Sequence, residues 1–219
     1  MTTLDAAQAH FVSRFGECEA RLADSSPAWL APVRRAASER FAELGFPTRK
    51  NEAWEYTSVS EIAKASLDPE PPTRDGISRD DIRAILGDDV SADVFVFEDG
   101  RFAPEFSSGE SLPAGVEVGS LASALGEHPE LVRPLLDRAD PLDRPFAALN
   151  GAFQRDGAFV RVTAGATPQR PIQLLFVASP GASGRVTNPR NIICIDRGAK
   201  AAIALRYESR CPGVYWTNA

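Results

Sequence analysis

Five short apolar runs in the last third of the chain decide the fold: FVRVT (Phe159–Thr163), PIQLLFV (Pro171–Val177), NIICID (Asn191–Asp196), AAIALRY (Ala201–Tyr207) and VYWTNA (Val214–Ala219). Turn-rich spacers separate them, among them Ala164-Gly165-Ala166-Thr167-Pro168 and the stretch Ser179–Gly184. Within the runs apolar residues alternate: Ile172, Leu174 and Phe176 share one face, as do Ile203, Leu205 and Tyr207. Period-two alternation over four to eight residues predicts half-buried strands. No helical pattern interrupts the series, so its strands are not joined by helical crossovers. Two architectures suit irregular short strands with small residues at the turns. One is a β-sandwich or barrel; the other is a β-helix, in which each rung stacks on the one before. The pattern alone leaves both open.

Upstream the pattern turns helical. Leu4, Ala7, Phe11, Phe15, Cys18 and Leu22 recur at steps of three and four, one apolar helix face. Ser25-Ser26-Pro27 breaks it and offers an N-cap for a second face: Leu30, Val33, Ala37, Phe41 and Leu44, stopped by Gly45 and Pro47. Then comes Phe46 to Thr57, FPTRKNEAWEYT, dense in charge and aromatics. Ser58 with Glu61 reads as a capping box opening a short helix, Val59 to Lys64. Leu67 to Asp75, with three prolines, is a candidate linker. Ser78 caps a helix from Arg79 to Leu86, ended by Gly87. Asp93–Phe97, Asp99-Gly100 and Arg101-Phe102 read as a hairpin with a type I′ turn. Ser107 to Gly115 is loop. Helical patches follow at Leu121–Leu125, Pro129–Leu136 and Phe146–Phe153, the last carrying Phe146, Leu149, Asn150 and Phe153 on one side.

Composition excludes several classes. With 219 residues, 43% apolar and 25% charged, the chain can bury a real core. A formal net charge of −6 argues against non-specific binding to nucleic acid or an anionic membrane. No apolar run is long enough to span a bilayer, and the N-terminus, with Asp5 and no basic region before an apolar core, is not a secretory signal. The three cysteines, Cys18, Cys194 and Cys211, are widely separated and form no CxxC pair, which fits a reducing cytosol.

Catalytic chemistry is hard to find. Neither histidine, His10 or His128, has a cysteine or carboxylate at metal-ligand spacing. Cys194 is expected to be a small buried strand residue, and Cys211 lies in a loop beside Arg210. The nucleophile elbow, the P-loop and the zinc-protease helix motif are all missing. The carboxylate pairs Asp80-Asp81 and Asp88-Asp89 read as helix caps or solvated faces. Trp54 and Tyr56 read either as a ligand-stacking pair or as packing anchors. No catalytic or metal-binding residue is assigned, and the chain is not expected to be an enzyme.

The stretch Phe46 to Val59 resembles a signature of the SufD branch of the SufB/SufD family of iron–sulfur cluster assembly proteins. Pro47, Thr48, Arg49, Lys50, Glu52, Trp54, Tyr56 and Thr57 match it, while Glu55 stands where a basic residue is expected. PFAALNGAFQRDGAFVRVTAG, Pro145 to Gly165, looks like the family's entry into its core domain. PRNIICIDRGAKAAIALRYES, Pro189 to Ser209, looks like its first full rungs, and VYWTNA resembles a segment that runs on into further strands. The resemblance implies an α+β protein: an N-terminal helical domain with a small β-hairpin over residues 1–156, then the opening rungs of an incomplete right-handed parallel β-helix over 157–219. It implies a non-catalytic, cytoplasmic scaffold subunit whose partners are a SufB-like paralogue and a SufC-like ATPase. The transient iron–sulfur cluster, and reduced flavin, belong to the full complex, and no cofactor is expected on this chain alone. The motif residues are expected to be structural. The family's interface histidine and ATPase-binding segment have no counterpart here, since no histidine follows His128. The chain is therefore expected to be an N-terminal piece of a longer protein. Two other readings stand beside this one: a β-helix protein acting on carbohydrate through residues such as Arg161, Arg206 and Glu208, and an interaction module gripping a partner with Trp54 and Tyr56.

Overall fold

The computed structural model describes residues 2–72, 76–87, 91–108, 112–139 and 144–219, without the side chains of 137–139. In chain order its helices are α1 (Thr3–Asp24), α2 (Leu30–Leu44), α3 (Ser60–Lys64), α4 (Arg79–Leu86), α5 (Leu121–Glu127), α6 (Pro129–Ala139) and α7 (Pro145–Phe153). The strands are β1 (Asp93–Glu98), β2 (Arg101–Phe102), β3 (Val116–Ser120), β4 (Ala158–Val162), β5 (Ile172–Ala178), β6 (Arg185–Thr187), β7 (Ile192–Ile195), β8 (Ile203–Ser209) and β9 (Tyr215–Thr217). The class is α+β, and the described strands form no closed barrel.

Thr2 and Asp5 open α1 with a reciprocal capping box, at 3.2 and 2.7 Å, which satisfies two otherwise orphaned N–H groups. The expected stripe Ala7, Phe11, Phe15, Cys18 and Leu22 is buried. The break at Ser25-Ser26 is real, but neither serine caps α2. The Leu30 N–H instead closes a turn onto Pro27 O at 2.9 Å, and Ser26 Oγ donates back to Leu22 O. Along α2 the face Leu30, Ala37 and Phe41 includes Arg34, which is 1% exposed. Its guanidinium donates to Leu22 O (2.8 Å), Ser26 Oγ (2.9 Å) and Gln154 O (2.8 and 3.0 Å). It therefore ties the end of α1 and the end of α7 to the middle of α2. Burial pulls its pKa down to about 10, because its partners are neutral oxygens that only partly replace hydration.

The strand stack has a three-sided order. β4, β5 and β6 belong to three different sheets, and β7, β8 and β9 revisit those sheets in the same sequence. Each revisit is a parallel pairing: Phe159 with Ile192, Ile172 with Ile203, Arg185 with Tyr215. No α-helix lies between β4 and β9, only a single 3-10 turn at Pro180–Ala182, as the sequence pattern predicts. These three parallel pairings differ from the antiparallel neighbours usual in a β-sandwich, and the described strands close no barrel. β1 extends the second sheet in parallel, with Asp93 opposite Ile172, and β2 closes the hairpin on it. The turn has Asp99 at φ 48° and Gly100 at φ 78°, the type I′ signature. Inside the stack Phe95, Phe97, Val160, Val162, Ile172, Leu174 and Phe176 form one core. Two strands fall outside the sequence reading. β3 (VEVGS) pairs antiparallel with β4, and β6 (RVT) starts the third sheet.

The corners are polar and specific. Gly157, at φ +148°, precedes β4 where a Cβ would lie 2.0 Å from Arg190 O, so no other residue fits. Asp156, buried, accepts from Phe102 N–H (2.9 Å), Ser120 Oγ (2.8 Å) and Ala122 N–H (3.0 Å), fastening three segments. Asn150 on α7 donates to Pro189 O and Asn218 O, latching the helix to successive corners.

Leu67–Asp75 was expected to be a linker, and Thr73–Asp75 lie outside the described residues. The described part is not loose. Leu67 is buried, and Asp68 bridges β6 at Arg185, taking a place in the third sheet ahead of it. Asp68 pairs with Arg14 (2.9 Å) and Arg185 (3.0 Å); Glu70 pairs with Arg21 and Arg155 (both 3.0 Å). The prolines keep this segment extended, and the arginines fix it between α1 and the stack. Ser78 caps α4 as its sequence predicts, reciprocally with Asp81, and Gly87 ends it. Asp81 also pairs with Arg210 at 2.6 Å, which makes it a cap and a tether. Asp88-Asp89 lie outside the described residues.

Replacing Arg34 with Met keeps the side-chain volume but removes every donor. The expected loss is on the order of 3 kcal/mol in urea unfolding, because three buried acceptors lose charged hydrogen bonds. For Asp68, burial alone would raise the carboxyl pKa. The N–H of Glu70 and the guanidinia of Arg14 and Arg185 outweigh it and hold the value below normal. A folded-state pKa below the unfolded value stabilises fully above the unfolded pKa and is lost as pH falls through the folded one. Melting temperature followed from about pH 6 to about pH 2 should therefore drop steeply on the acid side. Asp68→Asn should lower it at neutral pH and flatten that acid limb.

Candidate functional site: the motif loop and its groove

The loop after α2 is built on Asn51, a position the sequence motif leaves open. Its Oδ1 accepts from Thr48 N–H (2.8 Å) and Thr48 Oγ1 (3.1 Å), and its N–H donates to Thr48 O (3.0 Å). Thr48 Oγ1 accepts in turn from Lys50 N–H (3.2 Å). A β-turn closed by the Asn51 N–H on Thr48 O, with the Asn51 side chain bonded back onto Thr48, gives the chain a local substitute for helix or sheet bonding. It delivers a single 3-10 turn at Glu52–Trp54, with the Trp54 N–H on Asn51 O at 2.8 Å. The capping box expected at Ser58 does not form. Ser58 Oγ binds Ser60 N–H and Ser60 Oγ, and α3 starts one residue later than expected, from an uncapped Val59.

The motif residues split by environment. Pro47 is buried and Trp54 half-buried; Thr48, Arg49, Lys50, Glu52, Tyr56 and Thr57 are exposed. Trp54 meets Phe146 edge-on at 5.1 Å, and Phe146 in turn meets Phe46 (5.9 Å) and Trp216 on β9 (5.3 Å). Phe46 continues the chain of rings to Phe41 and Phe11. Trp54 thus belongs to a tilted and edge-to-face aromatic run from the helices to the last strand, the geometry that ring quadrupoles favour. Tyr56 is 87% exposed and joins no ring contact among the described residues. The two aromatics do not form a stacking pair. Beside Trp54 an open groove of about 640 Å³ is lined by Pro47, Asn51, Glu52, Trp54, Arg144 and Phe146.

Other candidates disperse or change character. Arg206 and Glu208 pair with each other at 2.8 Å on β8, while Arg161 sits on β4 in a different sheet, so the three do not converge on one substrate. Cys194 is half-buried rather than buried. Its thiol lies 3.8 Å from Asp196 Oδ1, and burial with that carboxylate pushes its pKa up, away from a reactive thiolate. The Cys211 thiol donates to Gly213 O at 3.5 Å, and its neighbour Arg210 is turned to Asp81. His10 Nε2 lies 3.1 Å from Leu67 O. For His128 the fold supplies what local spacing lacks: Glu117 Oε1 lies 3.3 Å from Nε2.

A sequence profile described as the SufBD protein N-terminal region matches residues 5–174. The chain belongs to the SufBD family. The match runs from α1 through the motif loop into β5, so it takes in the Asn51 turn and the first strands of the parallel stack. Among similar proteins, an iron–sulfur cluster assembly SufBD family protein of Synechocystis sp. is 23% identical over 197 residues, 86% of this chain and 41% of the relative. The chloroplastic protein ABCI7 of Arabidopsis thaliana is 24% identical over 221 residues, 95% of this chain and 45% of the relative. The iron–sulfur cluster assembly protein SufD of Bacillus subtilis is 27% identical over 157 residues, 69% and 35% respectively. The chain spans less than half the length of these relatives. No helix among its described residues is long and apolar enough to cross a membrane.

A double test separates packing from contact at the loop. Trp54→Ala should cost about 2 kcal/mol by opening the aromatic run. Tyr56→Ala should leave stability within about 0.5 kcal/mol, as for other exposed positions. Urea unfolding of both variants gives the answer; equal effects would remove the distinction between anchor and surface residue.

Proposed function

We propose that this SufBD-family chain is a SufD-like, non-catalytic scaffold subunit of cytoplasmic iron–sulfur cluster assembly. In this reading α1, α2 and α7 with the motif loop form the entry domain, and β4–β6 and β7–β9 are the first two rungs of a right-handed parallel β-helix. The partners are a SufB-like paralogue, docking along the β-helix, and a SufC-like ATPase. The iron–sulfur cluster is cargo built on the assembled complex, with reduced flavin acting at the level of that complex. Pro47, Thr48, Arg49, Glu52, Trp54, Tyr56 and Thr57 serve architecture rather than chemistry.

The observation that carries this reading is the profile match over 5–174. Two features support it physically. The three-sided order of parallel strands fits a solenoid, in which each rung contacts its neighbours. The SufD protein of Bacillus subtilis, named for iron–sulfur cluster assembly, aligns over 69% of the chain. The carbohydrate reading finds no support, because Arg161, Arg206 and Glu208 do not share a groove.

Co-expression of the intact gene product with SufB-like and SufC-like proteins of the same genome, followed by size-exclusion chromatography and iron and sulfide analysis, tests the assignment. Co-elution with the SufB-like protein and loss of assembled cluster when this subunit is omitted are expected. An intact product that elutes alone under conditions where the other two associate would end the scaffold reading.

A further inference from the structure

Glu117 on β3, Glu127 at the end of α5 and His128 at the α5–α6 junction meet on one side of the β3–β4–β7 sheet. One ligand atom from each lies within 4.8 Å of the other two. The histidine is held on both sides. Its N–H donates to Ala124 O (2.9 Å), and its carbonyl accepts from the N–H groups of Leu131 and Val132 (both 3.0 Å), so one residue ends α5 and starts α6. Its ring lies nearly parallel to Phe159, centroids 6.1 Å apart at 26°, and Phe159 is buried under α5 and α6. That contact aims Nε2 at Glu117 Oε1, 3.3 Å away. Glu117 stands in a paired ladder opposite Arg161. The imidazole and one carboxylate therefore rise from fixed backbone, and the second carboxylate comes from the residue next to the histidine.

A histidine–glutamate ion pair uses one carboxylate; this cluster presents two. One imidazole with two carboxylates is a mixed nitrogen–oxygen set. Magnesium and calcium prefer all-oxygen shells, and thiolate-seeking ions prefer cysteine, whereas zinc, iron(II), cobalt(II) and manganese(II) accept such a set and fill the remaining positions with water. Ligand atoms about 2.1 Å from a tetrahedral ion stand roughly 3.4 Å from one another. The His128–Glu117 separation already has that value, and the exposed Glu117 and Glu127 side chains need only turn inward. We infer that Glu117, Glu127 and His128 form a surface site for a first-row divalent transition-metal ion. The site lies on the chain's own N-terminal region and is independent of the scaffold reading.

Titration of the full chain with cobalt(II) chloride, read by visible absorption, tests it. Saturable binding of one equivalent is expected, with ligand-field bands and without the intense near-ultraviolet band of thiolate-bound cobalt, and with little displacement by excess magnesium. Glu117→Gln, which keeps the side-chain shape, and His128→Ala should each weaken binding by at least about tenfold, while His10→Ala should bind as the unaltered chain does. Circular dichroism checks that the variants are folded, and Glu117→Gln keeps the test decisive if His128→Ala is not. Absence of saturable binding, a thiolate charge-transfer band, or unchanged binding in Glu117→Gln would each overturn the inference.

Discussion

Each of the last three strands satisfies the peptide groups of one edge on the strand that precedes it by one circuit of the three sheets. Here that partner lies some thirty residues away on every side: Phe159 finds Ile192, Ile172 finds Ile203, Arg185 finds Tyr215. Successive turns must therefore have nearly equal circumference, and their corners must superimpose. Several buried residues at the corners serve that condition. Gly157 lets one corner pass against Arg190, Asn150 reaches two successive corners at Pro189 and Asn218, and Asp156 fixes the level of the hairpin and of β3. Asn150 and Asp156 are costly to bury without hydrogen bonds, and the directed bonds they make register the stack in a way that apolar packing could not.

The helices depend on the same condition at second hand. α7 lies between the helical layer and the stack, and Arg34 binds the carbonyl of Gln154 just beyond its end. Among the described residues the hydrogen-bond partners of Arg34 are all neutral oxygens, and desolvation lowers its pKa. The guanidinium has five donors in a rigid fork, which suits three neutral oxygens from three segments better than any lysine. The motif loop adds a second tie. The rings of Trp54, Phe146 and Trp216 run from a turn after α2 to the last strand, so Trp54 braces that turn against the strands.

Much of this was legible in the residues. The 3.6-residue stripe of α1, the cap and stop of α4, the Asp-Gly hairpin and five strands of the stack follow from local patterns that tertiary contacts do not oppose. What escaped has a common physical origin. β6 is only three residues long and β3 offers only Val116 and Val118 before Gly119 and Ser120, and both exist because β4 and β9 pair with them. Arg34 reads locally as a charge that spoils an apolar face; only the carbonyls of Leu22 and Gln154 turn it into a core residue. Leu67–Pro72 reads as a flexible linker from its prolines, and only Arg14, Arg21, Arg155 and Arg185 reveal it as a clamped segment. Asn51 did carry a local signal, since asparagine three residues after threonine is turn chemistry. At the candidate site, the family motif was visible but the closeness of Glu117 to His128 was not, because a strand and a helix junction bring them together.

The bridge from Asp68 to Arg185 has a meaning in time as well as in space. The arginine that completes it is 117 residues further along the chain, so at ribosomal speeds of about 5–20 residues per second it emerges several seconds after the aspartate. Through that interval α1 and α2 can form their hairpin, and Arg14 and Arg21 are already at hand for Asp68 and Glu70, but the segment beside them still lacks Arg155, Arg185 and its ladder partner. Loop closure over such a distance is slow compared with helix formation. The nascent helical layer therefore exposes the apolar surface that α7 and β6 will cover, and it is at this stage, before the stack has wound past residue 185, that the chain is most open to chaperones and to misassembly.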